Sequence, residues 1–135
     1  MLSMTSKLPM KVYLVEDSPL IRERMAEMLQ TIDGVEIVGV AEDAITAITG
    51  MAATKPDVVV LDLQLVDSNG LSVLRGLHQI SGATMPIVLT NHALPEFRKE
   101  CLAAGARYFF DKTTEFGKVH ETIELLSKNL SHALS

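Results

Sequence analysis

Five short apolar segments recur along the chain at intervals of a little over twenty residues, and apolar residues three and four positions apart lie between them. The segments are rich in Val, Ile and aromatic residues, as β-strands are, whereas the intervening spacing is that of one α-helical face. Strands that alternate with helices form a parallel sheet with helices on both faces. The five predicted strands are KVYLV (11–15), VEIVGV (35–40), DVVVLD (57–62), PIVLT (86–90) and ARYFFD (106–111).

Five helices are predicted to follow the five strands, and two of them carry boundary signals. The first is expected to begin after Ser18, because serine followed by Pro19 fits an N-cap and a first helical position. The fourth is expected to begin at Pro95 and to end near Gly105. The apolar positions expected on the first, second, third and fifth helices are Ile21, Met25, Met28 and Ile32; Ala44, Ile45, Ala47, Ile48 and Met51; Leu71, Leu74 and Leu77; and Val119, Ile123 and Leu126.

The third strand ends in a carboxylate, Asp62, that directly follows the apolar run from Val58 to Leu61. A strand that is buried on both faces reads as a continuous apolar run of this kind. An ionised carboxylate that is buried alone is very costly. Asp62 is therefore expected to have a charged partner, a metal ion or a proton.

Polar residues also stand at or just after the ends of the other strands. Glu16 and Asp17 follow the first strand, Thr90 ends the fourth, and Lys112 follows the fifth. In open α/β sheets, ligands bind at the carboxyl ends of the strands, where the winding direction reverses. With right-handed crossovers and the flavodoxin-like order 2-1-3-4-5, strands one and three are neighbours. The sequence therefore predicts that Glu16, Asp17 and Asp62 converge.

This set of side chains predicts a metal-assisted phosphoryl site. Three carboxylates in one crevice repel one another unless a cation is present. Their oxygens suit Mg²⁺, with Mn²⁺ as the alternative. Lys112 adds a positive charge and Thr90 a hydroxyl, so the site can receive a group with several anionic oxygens. Carboxylates also act as nucleophiles that form aspartyl phosphate, and Asp62 is the central candidate.

Composition and charge fit one globular domain. The chain has 135 residues, a net charge of −5 and no cluster of Lys and Arg, so we expect no direct nucleic-acid binding. Its apolar runs are shorter than a membrane span, and its N-terminus lacks the apolar stretch of a secretory signal. Cys101 cannot form an internal disulfide and is expected to pack within the fourth helix. We expect a cytoplasmic protein with a loose leader (1–9) and one domain (10–132).

Four motifs, in order and at matching spacing, resemble those of the response-regulator receiver domain. They are VYLVEDS, PDVVVLDLQLVDSNG, PIVLTNHA and GARYFFDK. The resemblance covers nearly the whole chain. It implies a flavodoxin-like, doubly wound α/β fold with five parallel strands and five helices. It also implies a phosphoprotein of two-component signalling that is not an enzyme.

Carried over by position, the resemblance implies the following metal and acceptor roles. Asp62 resembles the phospho-accepting aspartate. Asp17 would bind Mg²⁺ directly, and Glu16 would help through water. The backbone carbonyl of Gln64 would be a further ligand.

The resemblance also implies how the phosphoryl group would be held and sensed. Thr90 would hydrogen-bond it, and Lys112 would pair with it. Phe109 occupies the aromatic switch position of the family. Strand alternation sends Phe109 to the face opposite its two neighbours, so a fixed core aromatic is the alternative to a mobile switch.

Several positions depart from the family pattern. Val66 replaces a frequent proline after the acceptor, and Thr113 stands where a proline, often with a cis bond, is frequent. Asn91 is larger than the usual Ala or Gly and is expected to narrow access to the phosphoryl group. Gln64 and His92 fall at positions that tune phosphoaspartate hydrolysis in this family.

The leading hypothesis is a signalling switch that receives phosphoryl from a sensor histidine kinase or a histidine phosphotransferase. The kinase is expected to dock at the first helix near Ile21 and at the loop after strand five. Phosphorylation would change the surface of helix four, strand five and helix five, which a downstream protein would read; a phosphorylation-dependent homodimer is left open. Because the chain ends about where the fifth helix should, we expect a stand-alone, chemotaxis-type receiver or a phosphorelay carrier.

Two alternatives remain at this point. The first is the receiver part of a DNA-binding transcription regulator whose output domain is absent. The second is a Mg²⁺-dependent phosphatase with an aspartate nucleophile, of the haloacid-dehalogenase type. Such enzymes carry a second carboxylate two residues after the nucleophile, where this chain has Gln64.

Overall fold

The computed structural model describes residues 8–65, 70–91 and 93–134, with side chains as far as residue 129. Within these ranges, ten elements alternate strictly between strand and helix. They are β1 (Met10–Val15), α1 (Pro19–Gln30), β2 (Val35–Ala41), α2 (Ala44–Thr54), β3 (Val58–Leu61), α3 (Gly70–Ile80), β4 (Met85–Thr90), α4 (Pro95–Ala103), β5 (Tyr108–Asp111) and α5 (Phe116–Leu134).

The strands form one parallel sheet in the order β2-β1-β3-β4-β5, which confirms the predicted order. All four neighbouring pairs are parallel. Val15 pairs with Leu61 at the carboxyl ends of β1 and β3, so the residues that follow these two strands leave the sheet side by side. The predicted convergence of the acidic residues depends on this register.

Each face of the sheet carries its own apolar core. On one face, α2, α3 and α4 pack against alternate strand residues that include Val15, Leu61 and Phe109. On the other face, α1 and α5 cover the intervening strand residues, among them Leu14 and Val60. Cys101 of α4 belongs to the first core, as its predicted packing role requires. Both faces of β3 are covered, which explains the unbroken apolar run before Asp62.

The helix boundaries follow the local signals in the sequence. Ser18 caps α1, where its side chain accepts a hydrogen bond from the Ile21 N–H at 3.3 Å and satisfies an otherwise unpaired helix donor. Pro95 begins α4, and Gly105 follows that helix with φ at +111°, a left-handed conformation that glycine adopts without strain. Both boundary predictions agree with the structure.

Two apolar stripes differ in detail from the sequence prediction. The buried positions of α2 are Ala44, Ala47 and Met51, whereas Ile45 is 73% exposed. A helix turns about 100° per residue, so a side chain next to the inward position 44 points away from the sheet. In α1, the helix ends at Gln30, and Ile32 reaches the core from the segment that follows.

The helices differ from bilayer-spanning segments. Among the residues that the structure describes, none of them combines the length and the apolar character that a membrane crossing requires.

Candidate functional site

Main-chain hydrogen bonds join the strand ends that carry the predicted site residues. The Asp62 N–H donates to the Val15 carbonyl at 2.9 Å, which extends the β1–β3 ladder by one residue. The Lys112 N–H donates to the Thr90 carbonyl at 2.8 Å and ties the end of β5 to the end of β4. The sheet therefore fixes the backbone on both sides of the crevice.

Three carboxylates meet at this edge of the sheet. One oxygen each from Glu16, Asp17 and Asp62 lies within 4.8 Å of the other two. Glu16 and Asp62 are buried, with 1% and 4% exposure, and Asp17 is half-buried. These three residues were predicted to converge, and the structure places them together.

The ammonium group of Lys112 reaches into the acidic cluster from β5. Its Nζ lies 2.7 Å from Glu16 Oε1 and 3.0 Å from Asp62 Oδ2, and the lysine side chain is only 9% exposed. The partner that a buried Asp62 needs is therefore Lys112. The contacts of Lys112 thus join residues that directly follow β1, β3 and β5, three strands that are far apart in the sequence.

Backbone amides occupy the remaining carboxylate oxygens of the buried pair. The Ser18 N–H donates to Glu16 Oε2 at 3.0 Å, and the Gln64 N–H donates to Asp62 Oδ1 at 3.2 Å. The side chain of Gln64 itself is exposed. Each acid is thus held by its own backbone N–H and by the shared ammonium group, and this arrangement fixes the orientation of both side chains.

Burial and charge shift the pKa values of this cluster in opposing ways. Burial raises the pKa of Glu16 above its usual value, and the nearby Asp62 charge adds to this, although Lys112 and the Ser18 N–H oppose it. Burial alone would lower the pKa of Lys112, but the Glu16 and Asp62 carboxylates outweigh it and raise that pKa. Lys112 therefore remains a cation at neutral pH.

A divalent cation fits the donor set at this site. The three carboxylates face one ammonium group, so negative charge exceeds positive charge. Among the described residues, no aligned hydrogen-bond donor faces the buried Glu16 Oε1, although the Lys112 ammonium lies beside it. Mg²⁺ ligands lie at about 2.1 Å from the ion, so two of them are at most about 4.2 Å apart. Carboxylate oxygens within 4.8 Å of one another reach that geometry by small side-chain adjustments.

Thr90 and Phe109 lie on neighbouring strands, Thr90 as the last residue of β4 and Phe109 as the second residue of β5. Thr90 is fully buried at the last position of β4. Phe109 is 5% exposed and belongs to the core on the α4 side, whereas Tyr108 and Phe110 pack against the opposite core, as alternation predicts. Sequence reasoning missed Arg98 of α4, which donates to the Phe109 carbonyl at 3.3 Å and lies 5.9 Å above the Phe109 ring.

Of the remaining predicted positions, the structure describes Asn91 and Thr113. Asn91 directly follows Thr90 and is exposed, and its Oδ1 accepts a long hydrogen bond of 3.5 Å from the Thr113 hydroxyl. The Lys112–Thr113 peptide bond is trans. His92, Val66 and residues 67–69 fall outside the described residues.

Known proteins resemble this chain along most of its length. The family model of the response regulator receiver domain matches residues 12–124. A protein-glutamate methylesterase/protein-glutamine glutaminase 5 from Myxococcus xanthus is 35% identical over 112 residues, which is 82% of this chain and 32% of that protein. The chain spans between 30% and 50% of the length of the curated relatives it matches.

Solved structures share the fold. A two-component response regulator of the LuxR family from Aurantimonas sp. SI85-9A1 has a TM-score of 0.82 at 28% identity, with 90% of this chain and 86% of that chain covered. The response regulator domain of Thermotoga maritima CheB has a TM-score of 0.78 at 21% identity, with 92% of this chain and 97% of that chain covered, and this likeness shows the fold alone.

Proposed function

Because this chain belongs to the response regulator receiver domain family, we propose that it is a phosphorylation-activated signalling switch with Asp62 as its phosphoryl acceptor. The observation that supports this most strongly is the 3.0 Å contact between Lys112 Nζ and Asp62 Oδ2 inside an acidic cluster. A structural carboxylate would need the lysine alone. The two further acids, Glu16 and Asp17, are explained if the site binds a divalent cation together with an anionic group.

The residues of the site would have different roles in phosphoryl transfer. Glu16, Asp17, Asp62 and the Gln64 carbonyl would hold Mg²⁺, which supplies charge neutralisation for the phosphoryl oxygens when bound. An oxygen of Asp62 forms a bond to phosphorus while the phosphorus–nitrogen bond of a phosphohistidine breaks. The leaving imidazole nitrogen then takes up a proton. Lys112 would move from the carboxylates to the anionic oxygens of the bound group.

Thr90 and Phe109 are the proposed switch that carries the change away from the site. A phosphoryl group on Asp62 would draw the Thr90 hydroxyl inward, and Phe109 would follow in the neighbouring strand. Phe109 is buried here under Arg98 of α4, so its movement would change the contact between β5 and α4. We propose that this shifts a population between two arrangements of the α4, β5 and α5 surface.

The partners follow from the same proposal. A sensor histidine kinase or a histidine phosphotransferase would donate the phosphoryl group, and a downstream protein would read the altered surface. The chain itself would act as a stand-alone receiver or as a phosphorelay carrier without catalytic turnover. The sequence-based expectation of a cytoplasmic location stays a prediction.

A second candidate is that the chain is the receiver part of a longer regulator. Its matched relatives are two to three times as long as the matched part, and one of them is a DNA-binding transcriptional activator, DevR/DosR of Mycobacterium tuberculosis, at 31% identity over 96 residues. The sequence of the complete gene distinguishes the two candidates, because a receiver within a longer regulator requires coding sequence for a further domain.

Incubation with Mg²⁺ and acetyl phosphate tests the proposed acceptor. We expect intact mass to show one phosphoryl adduct on the wild-type chain and none on Asp62→Asn, because the amide cannot attack phosphorus. Omission of Mg²⁺ should abolish the adduct as well. A wild-type chain that gains no adduct from any small donor contradicts the proposal, and rapid multiple turnover of phosphate would instead favour a phosphatase.

The lifetime of the adduct is expected to depend on Asn91, Gln64 and His92. We expect Asn91→Ala to shorten it by about two- to fivefold, or up to about 1 kcal/mol of barrier, because the exposed side chain restricts the approach of water. Gln64→Ala and His92→Ala should also change the lifetime. Loss of adduct mass over time after removal of the donor measures all three rates. If the three variants decay at the wild-type rate, these positions do not tune hydrolysis.

A further inference from the structure

The loop that carries Lys112 is shaped by the carboxylate of its neighbour, Asp111. Asp111 Oδ1 accepts hydrogen bonds from the Thr113 N–H at 2.8 Å and from the Thr114 N–H at 3.1 Å. One oxygen thus bridges over Lys112 to the two residues that follow it. Such side-chain to backbone bonds fix a turn in the manner of an Asx-turn.

Glu115 closes the same loop from its other end. Glu115 Oε1 accepts from the Asp111 N–H at 2.9 Å, and the Glu115 N–H donates to the Asp111 carbonyl at 2.8 Å. Lys118 Nζ lies 3.0 Å from Glu115 Oε2. The Asp111 N–H and then the Lys118 ammonium lower the pKa of Glu115, so the acceptor is ionised at neutral pH. Asp111 and Glu115 therefore hold each other reciprocally around Lys112.

Hydrogen bonds consequently restrain the backbone at Lys112 and at the two residues that follow it. Its own N–H is bound to the Thr90 carbonyl at 2.8 Å, and the next two N–H groups are bound to Asp111. A lysine side chain loses considerable rotamer freedom when it is held in one geometry, so a fixed Cα lowers the remaining cost of placing Nζ. Thr113 follows the lysine and has no ring that would fix the loop by itself.

We propose that Asp111 and Glu115 are positioning residues that hold Lys112 in place for the phosphoryl group. This inference rests on the proposed function, since it gives Lys112 a phosphoryl ligand. Within the described part of the chain, neither carboxylate forms a hydrogen bond or ion pair with the acidic cluster, and both act through the backbone around Lys112. The side-chain hydrogen bonds of these two residues restrain the loop backbone, as the ring of a proline after the lysine would.

Binding of beryllofluoride, a phosphoryl mimic, at saturating Mg²⁺ tests the proposal. Asp111→Ala loses both acceptor bonds and should bind beryllofluoride about tenfold more weakly than the wild type. Asp111→Asn keeps Oδ1 and should restore most of that affinity. Mg²⁺ affinity without beryllofluoride should not weaken in either variant, because the metal-binding acids directly follow β1 and β3. A general folding defect would weaken both affinities.

Glu115 provides a second, independent pair of variants. Glu115→Ala should weaken beryllofluoride binding and Glu115→Gln should restore it, whereas Lys118→Ala, which removes only the outer ion pair, should bind like the wild type. If Asp111→Ala does not fold, this pair decides the question.

The outcomes separate this inference from the proposed function. Wild-type affinity in both alanine variants overturns the inference, as does an asparagine or glutamine variant as weak as the matching alanine variant. A wild-type chain that binds no beryllofluoride overturns the proposed function and the inference with it.

Discussion

Replacement of Lys112 by methionine is expected to lower the free energy of unfolding by about 3–5 kcal/mol in metal-free solution. The ammonium group lies 2.7 Å from Glu16 Oε1 and 3.0 Å from Asp62 Oδ2, and both acids are almost fully buried. Methionine keeps much of the length and apolar stem of lysine but leaves two buried carboxylates without a cation. The loss therefore reports uncompensated charge more than lost packing.

Mg²⁺ should restore part of this stability. A ligand that binds the native state alone stabilises it in proportion to its affinity, and the variant should bind Mg²⁺ more tightly because no ammonium group repels the ion. Urea unfolding with and without Mg²⁺ measures both effects. Phosphorylation by acetyl phosphate should nevertheless fall by about a hundredfold, since the cation that receives the phosphoryl oxygens is gone.

Arg75→Met is the matched control for this charge. Arg75 pairs with Glu100 at 3.3 Å on the surface, where both side chains are about half exposed, so its loss should change stability by less than about 1 kcal/mol. If Lys112→Met is as stable as Arg75→Met in the absence of metal, the buried ion pairs contribute no more to the free energy of unfolding than the surface pair does, which contradicts the prediction.

The sheet order and the convergence of the three carboxylates could be predicted from the sequence, because both follow from the hydrophobic periodicity and from the right-handedness of the crossovers. Apolar runs located the strands, and the right-handed crossover rule with the 2-1-3-4-5 order placed β1 beside β3. Glu16, Asp17 and Asp62 then had to leave the sheet at one edge. Sequence reasoning needed no side-chain conformation for this step.

The contacts of Lys112 and its loop were beyond the reach of that reasoning. Whether a lysine after a strand points into the crevice or into solvent depends on loop conformation, and Asp111 sets this through two backbone N–H groups. Such bonds leave no periodic signal. Ile45 shows the same limit within a helix: apolar character alone did not tell that it lies beside the buried stripe and is exposed.

Gly70 is another residue whose importance the sequence did not show. Its N–H donates to the Leu63 carbonyl at 2.6 Å, so the start of α3 lies against the backbone that follows β3. The glycines with positive φ in the described chain are Gly34 and Gly105, so Gly70 is required for space and not for conformation. A Cβ on Gly70 would overlap the Asp62 carbonyl oxygen and would lie 3.0 Å from Leu63 Cα.

Gly70→Ala is therefore expected to displace the acceptor itself. Backbone atoms cannot rotate away from the added methyl group as a flexible side chain can, so Asp62 and Leu63 must shift together. A shift of this kind should slow phosphorylation by acetyl phosphate at least about tenfold, since misplacement of a reacting group by about 1 Å can cost up to about a hundredfold in rate. Overpacking should also lower the free energy of unfolding by about 1–3 kcal/mol.

Gly76→Ala in the same helix separates this effect from a change in helix propensity. Apart from the backbone of its own helix, a Cβ on Gly76 would meet no heavy atom of the described residues within 4 Å, so alanine should stabilise α3 by up to about 1 kcal/mol and leave the phosphorylation rate unchanged. Adduct formation followed by intact mass gives the rates, and chemical unfolding gives the stabilities. If Gly70→Ala accepted phosphoryl as fast as Gly76→Ala, the contact between α3 and the Asp62 backbone would have no part in positioning the acceptor. A loss of rate in Gly70→Ala with the Mg²⁺ affinity retained would place the defect at the Asp62 backbone and not in the metal site as a whole.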